Sequence, residues 1–181
     1  MAMYIALFRG INVIGRRIVP MKELKVLLGK AGCLDVQTYI QSGNALFRSD
    51  ADPATLSKQL AAAVSKRYGF EPHVIVKTRA QLERAAAGNP FPEADARPTT
   101  LHLFFLAKAA RKADIASLEA LRASSEQFAL KGTTFYLYTP DGFGSSKLAQ
   151  RAERLLGVEA TARNWRTVKT LIELARGRAA P

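Results

Sequence analysis

The sequence has few of the residues that build common metal, disulfide and nucleophilic sites. Its only cysteine is Cys33, so no disulfide can form within the chain. A single cysteine is typical of a reducing compartment, and we expect a cytoplasmic protein. The only histidines, His73 and His102, stand in strand-like segments without ligands at metal-binding spacing. We therefore predict no metal, no cofactor and no cysteine–histidine pair.

Long hydrophobic segments are also missing. The apolar run at residues 103–107 is far shorter than the roughly 20 residues that cross a bilayer. The apolar segment at residues 4–8 has no basic residues before it and no clear cleavage site, unlike a signal peptide. We predict no membrane partner.

Positive charge is what the sequence has in excess. Lys and Arg number 27 against 15 Asp and Glu, a formal net charge of +12. Residues 1–77 carry 11 basic and 5 acidic side chains, and residues 78–181 carry 16 and 10. Such a charge attracts polyanions and anionic metabolites. A surface of merely solvated arginines is the alternative reading.

Apolar periodicity predicts the order β-α-β-β-α-β over the unit at residues 1–77. The strands are predicted at residues 4–8, 36–41, 45–48 and 73–76. One helix follows Pro20 and ends at Gly32; the other is capped by Asp52 or Thr55 and ends at Gly69. This is the ferredoxin-like arrangement, with strand order 4-1-3-2. The sequence pattern leaves open whether the strand at residues 36–41 is central in the sheet or lies beside its edge.

The second half repeats the pattern in part. Residues 78–98, with a short helix at 81–87, are predicted as a connector. The unit at residues 99–181 is predicted as β-α-β-β-α-α, with strands at 100–107, 128–131 and 134–138 and helices at 113–121, 146–156 and 164–176. A helix thus stands where the fourth strand would be. The predicted fold class is α+β: two ferredoxin-like units in tandem, antiparallel sheets with helices on one face.

Glycines and arginines surround the loop after the first strand. Gly10 and Gly15 lie near Arg9, Arg16 and Arg17. A nucleotide-binding P-loop is disfavoured, because arginines stand where Lys and Ser or Thr are required. Guanidinium groups and glycine-exposed N–H groups suit a more general oxyanion site. A glycine-permitted loop with solvated arginines is the alternative.

A polar hairpin follows at residues 39–44. Tyr39 and Gln41 share one strand face by alternation, and Ser42-Gly43-Asn44 reads as a tight turn. These side chains could orient a ligand by hydrogen bonds. They are equally ordinary hairpin residues, since Asn and Gly tolerate positive φ.

Two helix starts in the second half carry basic groups. A glycine-rich loop leads to Lys147, and Lys147, Arg151 and Arg154 recur at helical spacing. Capping by Ser145 or Ser146 with a solvated face is the alternative. Arg163 and Asn164 are predicted to lie at the start of the last helix, where they could bind a ligand or cap the backbone. Trp165 is predicted to pack in the core.

Several of these segments together resemble the domain-of-unknown-function family 1697, a family of uncharacterised bacterial proteins. The resemblance rests on Arg9-Gly10-Ile11-Asn12-Val13, Tyr39-Ile40-Gln41-Ser42-Gly43-Asn44, Asn89-Pro90-Phe91, Ser146-Lys147-Leu148 and Thr161-x-Arg163-Asn164-Trp165-x-Thr167-Val168. It extends over about residues 4–174. It implies two ferredoxin-like units and no particular activity.

The leading hypothesis is a binding module for an anionic ligand, either nucleic acid or a phosphorylated small molecule. Its polar wall is predicted to consist of Arg9, Gly10, Asn12, Tyr39, Gln41, Ser42, Asn44, Lys147, Arg163 and Asn164. One alternative is a metal-independent enzyme on a small anionic substrate, with Lys147 or Tyr39 as acid or base. Another is a protein-interaction module. The first sheet lacks the aromatic strands of RNA-recognition domains.

Overall fold

The computed structural model describes residues 1–13 and 15–177, so Ile14 of the first loop lies outside the described residues. The chain divides into two compact units. One consists of Met1–Glu83 with the segment that begins at Thr170, and the other is Arg84–Lys169. Each unit contains a four-stranded antiparallel sheet. The predicted α+β class with two tandem units is therefore confirmed.

The first unit contains the predicted β-α-β-β-α-β order. Its elements are β1 (Ala2–Arg9), α1 (Met21–Lys30), β2 (Leu34–Tyr39), β3 (Asn44–Ser49), α2 (Pro53–Tyr68) and β4 (His73–Thr78), followed by α3 (Arg79–Ala87). The strand order is β2-β3-β1-β4. The second strand, whose position the sequence left open, is thus an edge strand.

Helix α2 illustrates how local sequence sets the element boundaries. Of the two predicted caps it is Asp52 that begins the helix, because its carboxylate accepts two backbone N–H groups of the first turn at 3.0 Å. Gly69 ends the helix with φ of 75°, a conformation that glycine adopts without strain.

One face of the first sheet packs on both helices. Tyr4, Ala6 and Phe8 alternate along β1 and join a core that contains buried leucines of α1 and α2. These leucines are Leu24, Leu28, Leu56 and Leu60. Both helices therefore cover the same face, as the ferredoxin-like arrangement requires.

The second unit has a fourth strand that the sequence did not predict. Two short 3-10 helices (Pro92–Asp95 and Pro98–Thr100) precede β5 (Leu101–Leu106), α4 (Ile115–Leu121), β6 (Gln127–Lys131), β7 (Thr134–Tyr138), α5 (Lys147–Leu156), β8 (Ala160–Asn164) and α6 (Trp165–Ala175). The strand order is β6-β7-β5-β8. The predicted β-α-β-β-α-α order of this half was therefore wrong, since β8 precedes the last helix.

Strand β8 was not predicted because its residues are mostly small or polar and have little preference for strands. Thr161 pairs with Phe105 and Arg163 with Leu103, both on β5. The strand forms because pairing with β5 satisfies its backbone hydrogen bonds. The sequence of a short polar segment does not show that such a pairing partner is present. Helix α6 accordingly begins at Trp165, one residue later than predicted.

The first hairpin is also offset from its prediction. Strand β2 ends at Tyr39 rather than Gln41, because Ile40 has φ of 49° and cannot continue an extended strand. The turn spans residues 40–43, and Asn44 is the first residue of β3, paired with Tyr39. Alternation therefore does not place Tyr39 and Gln41 on one strand face.

The core of the second unit repeats the one-sided packing. Phe104 and Leu106 of β5 contact Leu118 of α4 and Leu148 of α5. The end of α6 belongs to the first unit, where Arg176 pairs with Glu83 at 2.8 Å. Among the described residues, no helix has the length and apolar character to span a membrane.

Candidate anion-binding surfaces

The residues predicted to form a ligand-binding wall divide between the two units. Those in the first unit are Arg9, Gly10, Asn12, Tyr39, Gln41, Ser42 and Asn44; those in the second are Lys147, Arg163 and Asn164. Arg9 ends β1 and is half-buried. Gly10 follows with φ of 77°, in the region that favours glycine.

Asn12 joins two loops of the first unit. Its Nδ2 donates to the carbonyl oxygens of Val19 at 3.0 Å and Gln41 at 2.9 Å. Its Oδ1 accepts the Val19 N–H at 2.8 Å. Both ends of the Asn12 amide are therefore bound within the protein, and its side chain has a structural role. The side chain of Gln41 is exposed.

Asn44 and Gly43 shape the turn of the first hairpin. The Nδ2 of the fully buried Asn44 donates to the Tyr39 carbonyl at 3.1 Å and the Ser42 hydroxyl at 3.0 Å. Gly43 has φ of 80°, and a Cβ built there would lie 2.9 Å from the Cβ of Phe8. Of this segment, Ser42 is exposed and Tyr39 is half-buried, so these side chains remain accessible.

The loop at residues 10–19 uses its own backbone donors. The N–H of Asn12 donates to the Arg17 carbonyl at 3.0 Å, and that of Arg16 to the Val13 carbonyl at 2.9 Å. The Arg17 guanidinium lies 5.4 Å from the centre of the Phe70 ring, within cation–π distance. Two backbone donors of the loop are therefore used within it, and Arg17 packs on an aromatic ring.

Arg163 and Asn164 also have structural partners. Arg163 on β8 is only 9% exposed, and its Nη1 donates to the Ala162 carbonyl at 2.8 Å. Burial lowers the pKa of Arg163 to about 10, so it remains a cation at neutral pH. The Oδ1 of Asn164 accepts the Thr167 N–H at 2.9 Å and so caps α6, one of the two predicted roles.

Helix α5 carries three exposed basic side chains in a row. Lys147, Arg151 and Arg154, here called the α5 stripe, lie on one helix face because they are four and three residues apart. The opposite face is buried. Ser146 caps the helix by accepting the Ala149 N–H at 3.0 Å. Within the described part of the chain, no carboxylate pairs with the α5 stripe.

A second basic group, which sequence reasoning missed, lies in the loop between β5 and α4. Lys108, Arg111 and Lys112 are exposed and line a pocket whose other wall is residues 156–158. The Lys-x-x-Arg-Lys pattern after a strand was the available signal. The sequence could not show that this loop folds beside the end of α5.

His102 lies beside the core of the second unit, against Phe143. Its ring stacks on Phe143 with 3.7 Å between ring centres, and its buried Nδ1 has no partner among the described residues. Burial lowers the pKa of His102 to about 4, so it is neutral at pH 7. No group of three metal-ligating side chains occurs in residues 1–13 and 15–177.

The buried imidazole makes stability depend on pH. The pKa of His102 is about 4 in the folded protein against 6.5 ordinarily, so protons bind the unfolded chain first as the pH falls. The free energy of unfolding is expected to fall by about 2 kcal/mol between pH 7 and pH 5 from this group alone. Urea denaturation at pH 7 and at pH 5 measures this change in the free energy of unfolding. His102→Phe is expected to remove this loss, and a variant as acid-sensitive as the parent would contradict the assignment.

Comparison with known proteins identifies a family and a similar fold but no function. The family model described as "Protein of unknown function (DUF1697)" matches residues 1–136. A solved structure of a conserved bacterial protein from Streptococcus pneumoniae is similar, with a TM-score of 0.68 and 23% identity, over 96% of this chain and 98% of that one. At that identity the similarity shows the fold alone. No curated protein matches the sequence.

Proposed function

The chain belongs to the DUF1697 family, whose function is unknown, and we propose that it binds nucleic acid through the basic surface of its second unit. The observation that carries this proposal is the α5 stripe, three exposed cations in a row without a carboxylate partner in the described part of the chain. Nucleic-acid phosphates are the natural partners of such a row. The ligand class agrees with a cytoplasmic location, which the single cysteine also favours.

Acidic side chains of the second unit are engaged elsewhere. Glu119 pairs with Arg122 at 2.8 Å, and Asp141 accepts the Ser125 hydroxyl at 2.6 Å. Asp114 caps α4 through the Ser117 N–H at 3.0 Å. These carboxylates therefore serve local structure, and the positive charge of the α5 stripe is left for a ligand.

The length of the α5 stripe suits a phosphate backbone. Lys147 and Arg154 are seven positions apart, which is about 10 Å along a helix axis. Successive phosphates of one strand advance by about 3.4 Å along a duplex, so the stripe extends over roughly three of them. Two or three contacts of this kind give weak binding that depends strongly on salt.

Charge rather than base stacking is expected to dominate the proposed binding. The large apolar side chains exposed among the described residues are Met1, Val13, Ile18, Val26, Leu34, Ile40 and Ile115, none of them aromatic. The described aromatic rings, Tyr39 among them, are at most half-exposed, so we expect base stacking to contribute little to the affinity. The proposal accordingly predicts binding that is indifferent to sequence.

Neutralising the α5 stripe is expected to change the salt dependence of binding. The double variant Arg151→Gln and Arg154→Gln removes two phosphate contacts, so the slope of log affinity against log salt should fall by about 1.4 for single-stranded RNA. Fluorescence anisotropy with a labelled RNA across several salt concentrations measures this slope.

The matched control removes two charges from another helix. Lys58 and Lys66 on α2 are also exposed and have no carboxylate partner in the described part of the chain. The double variant Lys58→Gln and Lys66→Gln should leave the slope nearly unchanged. Equal changes in the two double variants would mean that only net charge matters, and the proposal would then fail.

A further inference from the structure

A pocket of about 460 Å³ lies between the β5–α4 loop and the end of α5. It is lined by Lys108, Ala109, Arg111, Lys112, Leu156, Gly157 and Val158. Leu156 is buried and Val158 half-buried, so these two side chains give the pocket an apolar part. Its volume falls in the range of small-molecule sites, about 300–1,000 Å³.

The loop that carries the cations is held at three points. The Ala107 N–H donates to the Glu159 carbonyl at 2.9 Å, and the Asp114 N–H donates to the Leu155 carbonyl at 2.8 Å. Between them, Ala110 is buried in the core of the unit. Because the backbone is fixed before a ligand arrives, less entropy is lost on binding.

Every charged side chain that lines the pocket is positive. Lys108, Arg111 and Lys112 have no carboxylate partner in the described part of the chain. Of the acidic residues near the other wall, Glu153 accepts the Ala160 N–H at 3.3 Å, and Glu159 has an interaction of its own within the protein. A ligand with two negative charges would therefore meet three cations that form no ion pair within the described part of the chain.

Backbone donors add to the side-chain cations. The Arg111 N–H donates to the Ala109 carbonyl at 3.0 Å. The N–H groups of Lys108, Ala109 and Lys112, which line the pocket, have no acceptor among the described residues. Phosphate oxygens accept several such hydrogen bonds at once, and bonds to an anion are the stronger kind.

We propose that this pocket binds a small phosphate monoester whose organic part is aliphatic. The three cations and the backbone donors suit a phosphate dianion, and Leu156 and Val158 suit methylene or methyl groups. The lining has no aromatic or amide side chain to recognise a nucleobase. The α5 stripe does not line this pocket, so the inference stands independently of nucleic-acid binding.

Titration calorimetry with inorganic phosphate and n-butyl phosphate tests the proposal. Both titrations are run at pH 8, where phosphate is a dianion, and at equal ionic strength. We expect both to bind, and butyl phosphate to bind about tenfold more tightly because roughly two methylene groups are buried. Val158→Ser is expected to remove most of that tenfold difference.

A pair of charge-matched double variants locates the site. Lys108→Gln with Lys112→Gln is expected to weaken both phosphates at least tenfold. Lys147→Gln with Arg151→Gln removes the same charge from the α5 stripe and should leave phosphate affinity unchanged. Thermal unfolding checks that each variant is folded.

Three outcomes would overturn the proposal. One is no binding of either phosphate at millimolar concentration, and another is equal weakening by the two double variants. The third, equal affinity for the two phosphates, would refute the aliphatic part of the ligand. Loss of RNA binding in the α5 variant while butyl phosphate still binds separates this pocket from the nucleic-acid proposal.

Discussion

Gly43→Ala is expected to lower the free energy of unfolding by about 3 kcal/mol. Part of the cost, about 1 kcal/mol, is the positive φ of 80° that alanine adopts poorly. The rest comes from overlap, because the new Cβ would lie 2.8 Å from the Cδ1 of Ile11 and 2.9 Å from the Cβ of Phe8. The Phe8 N–H donates to the Gly43 carbonyl at 2.8 Å, so the two backbones cannot easily separate.

Gly132 provides the matched control for this substitution. It also has positive φ, at 58°, but a Cβ there would meet no atom within 4 Å. Gly132→Ala should therefore cost only about 1 kcal/mol. Chemical denaturation of both variants measures the difference. If the two substitutions cost the same, close approach to Ile11 and Phe8 has no role.

Asn12→Ala is expected to destabilise the protein by about 2–3 kcal/mol. The substitution leaves the N–H of the buried Val19 and two carbonyl oxygens without their partners. It also puts alanine at φ of 55°, which asparagine tolerates better. Denaturation with urea measures the loss. Asn12→Asp keeps the Oδ1 acceptor and removes the donors, so it should show how much the donors contribute.

Asn89 is the appropriate comparison for Asn12. Among the described residues, its amide bonds only to the backbone of Phe91, two residues away, at 2.9 and 3.3 Å. Asn89→Ala should cost less than 1 kcal/mol, roughly one ordinary hydrogen bond. Equal losses at Asn12 and Asn89 would show that the link between distant loops contributes nothing extra.

The fold of the first unit was predictable because its signals are local. Leucines at helical spacing, the Asp52 cap and Gly69 mark the helices, and the element order β-α-β-β-α-β indicates the ferredoxin-like arrangement. The predictions that were wrong concern features set by a single backbone dihedral angle or by strand pairing between distant segments. Ile40 bends the chain through a positive φ that no local rule demands, and β8 depends on β5 for its existence.

The candidate site was predictable only in its chemistry. Positive charge and the α5 stripe could be read from composition and spacing. The sequence could not show that the Asn12 amide donates hydrogen bonds to the carbonyl oxygens of Val19 and Gln41, because those contacts join separate loops. It also could not show the pocket beside Lys108, since that depends on where the loop is tied to α5.

The end of α6 has a consequence for synthesis of the chain. The segment that begins at Thr170 belongs to the first unit, where Arg176 reaches Glu83, whereas Arg84–Lys169 is a continuous piece. A chain leaves the ribosome from its N-terminus, so all of the second unit emerges before this last segment. The unit that starts first is therefore the last to acquire all of its residues.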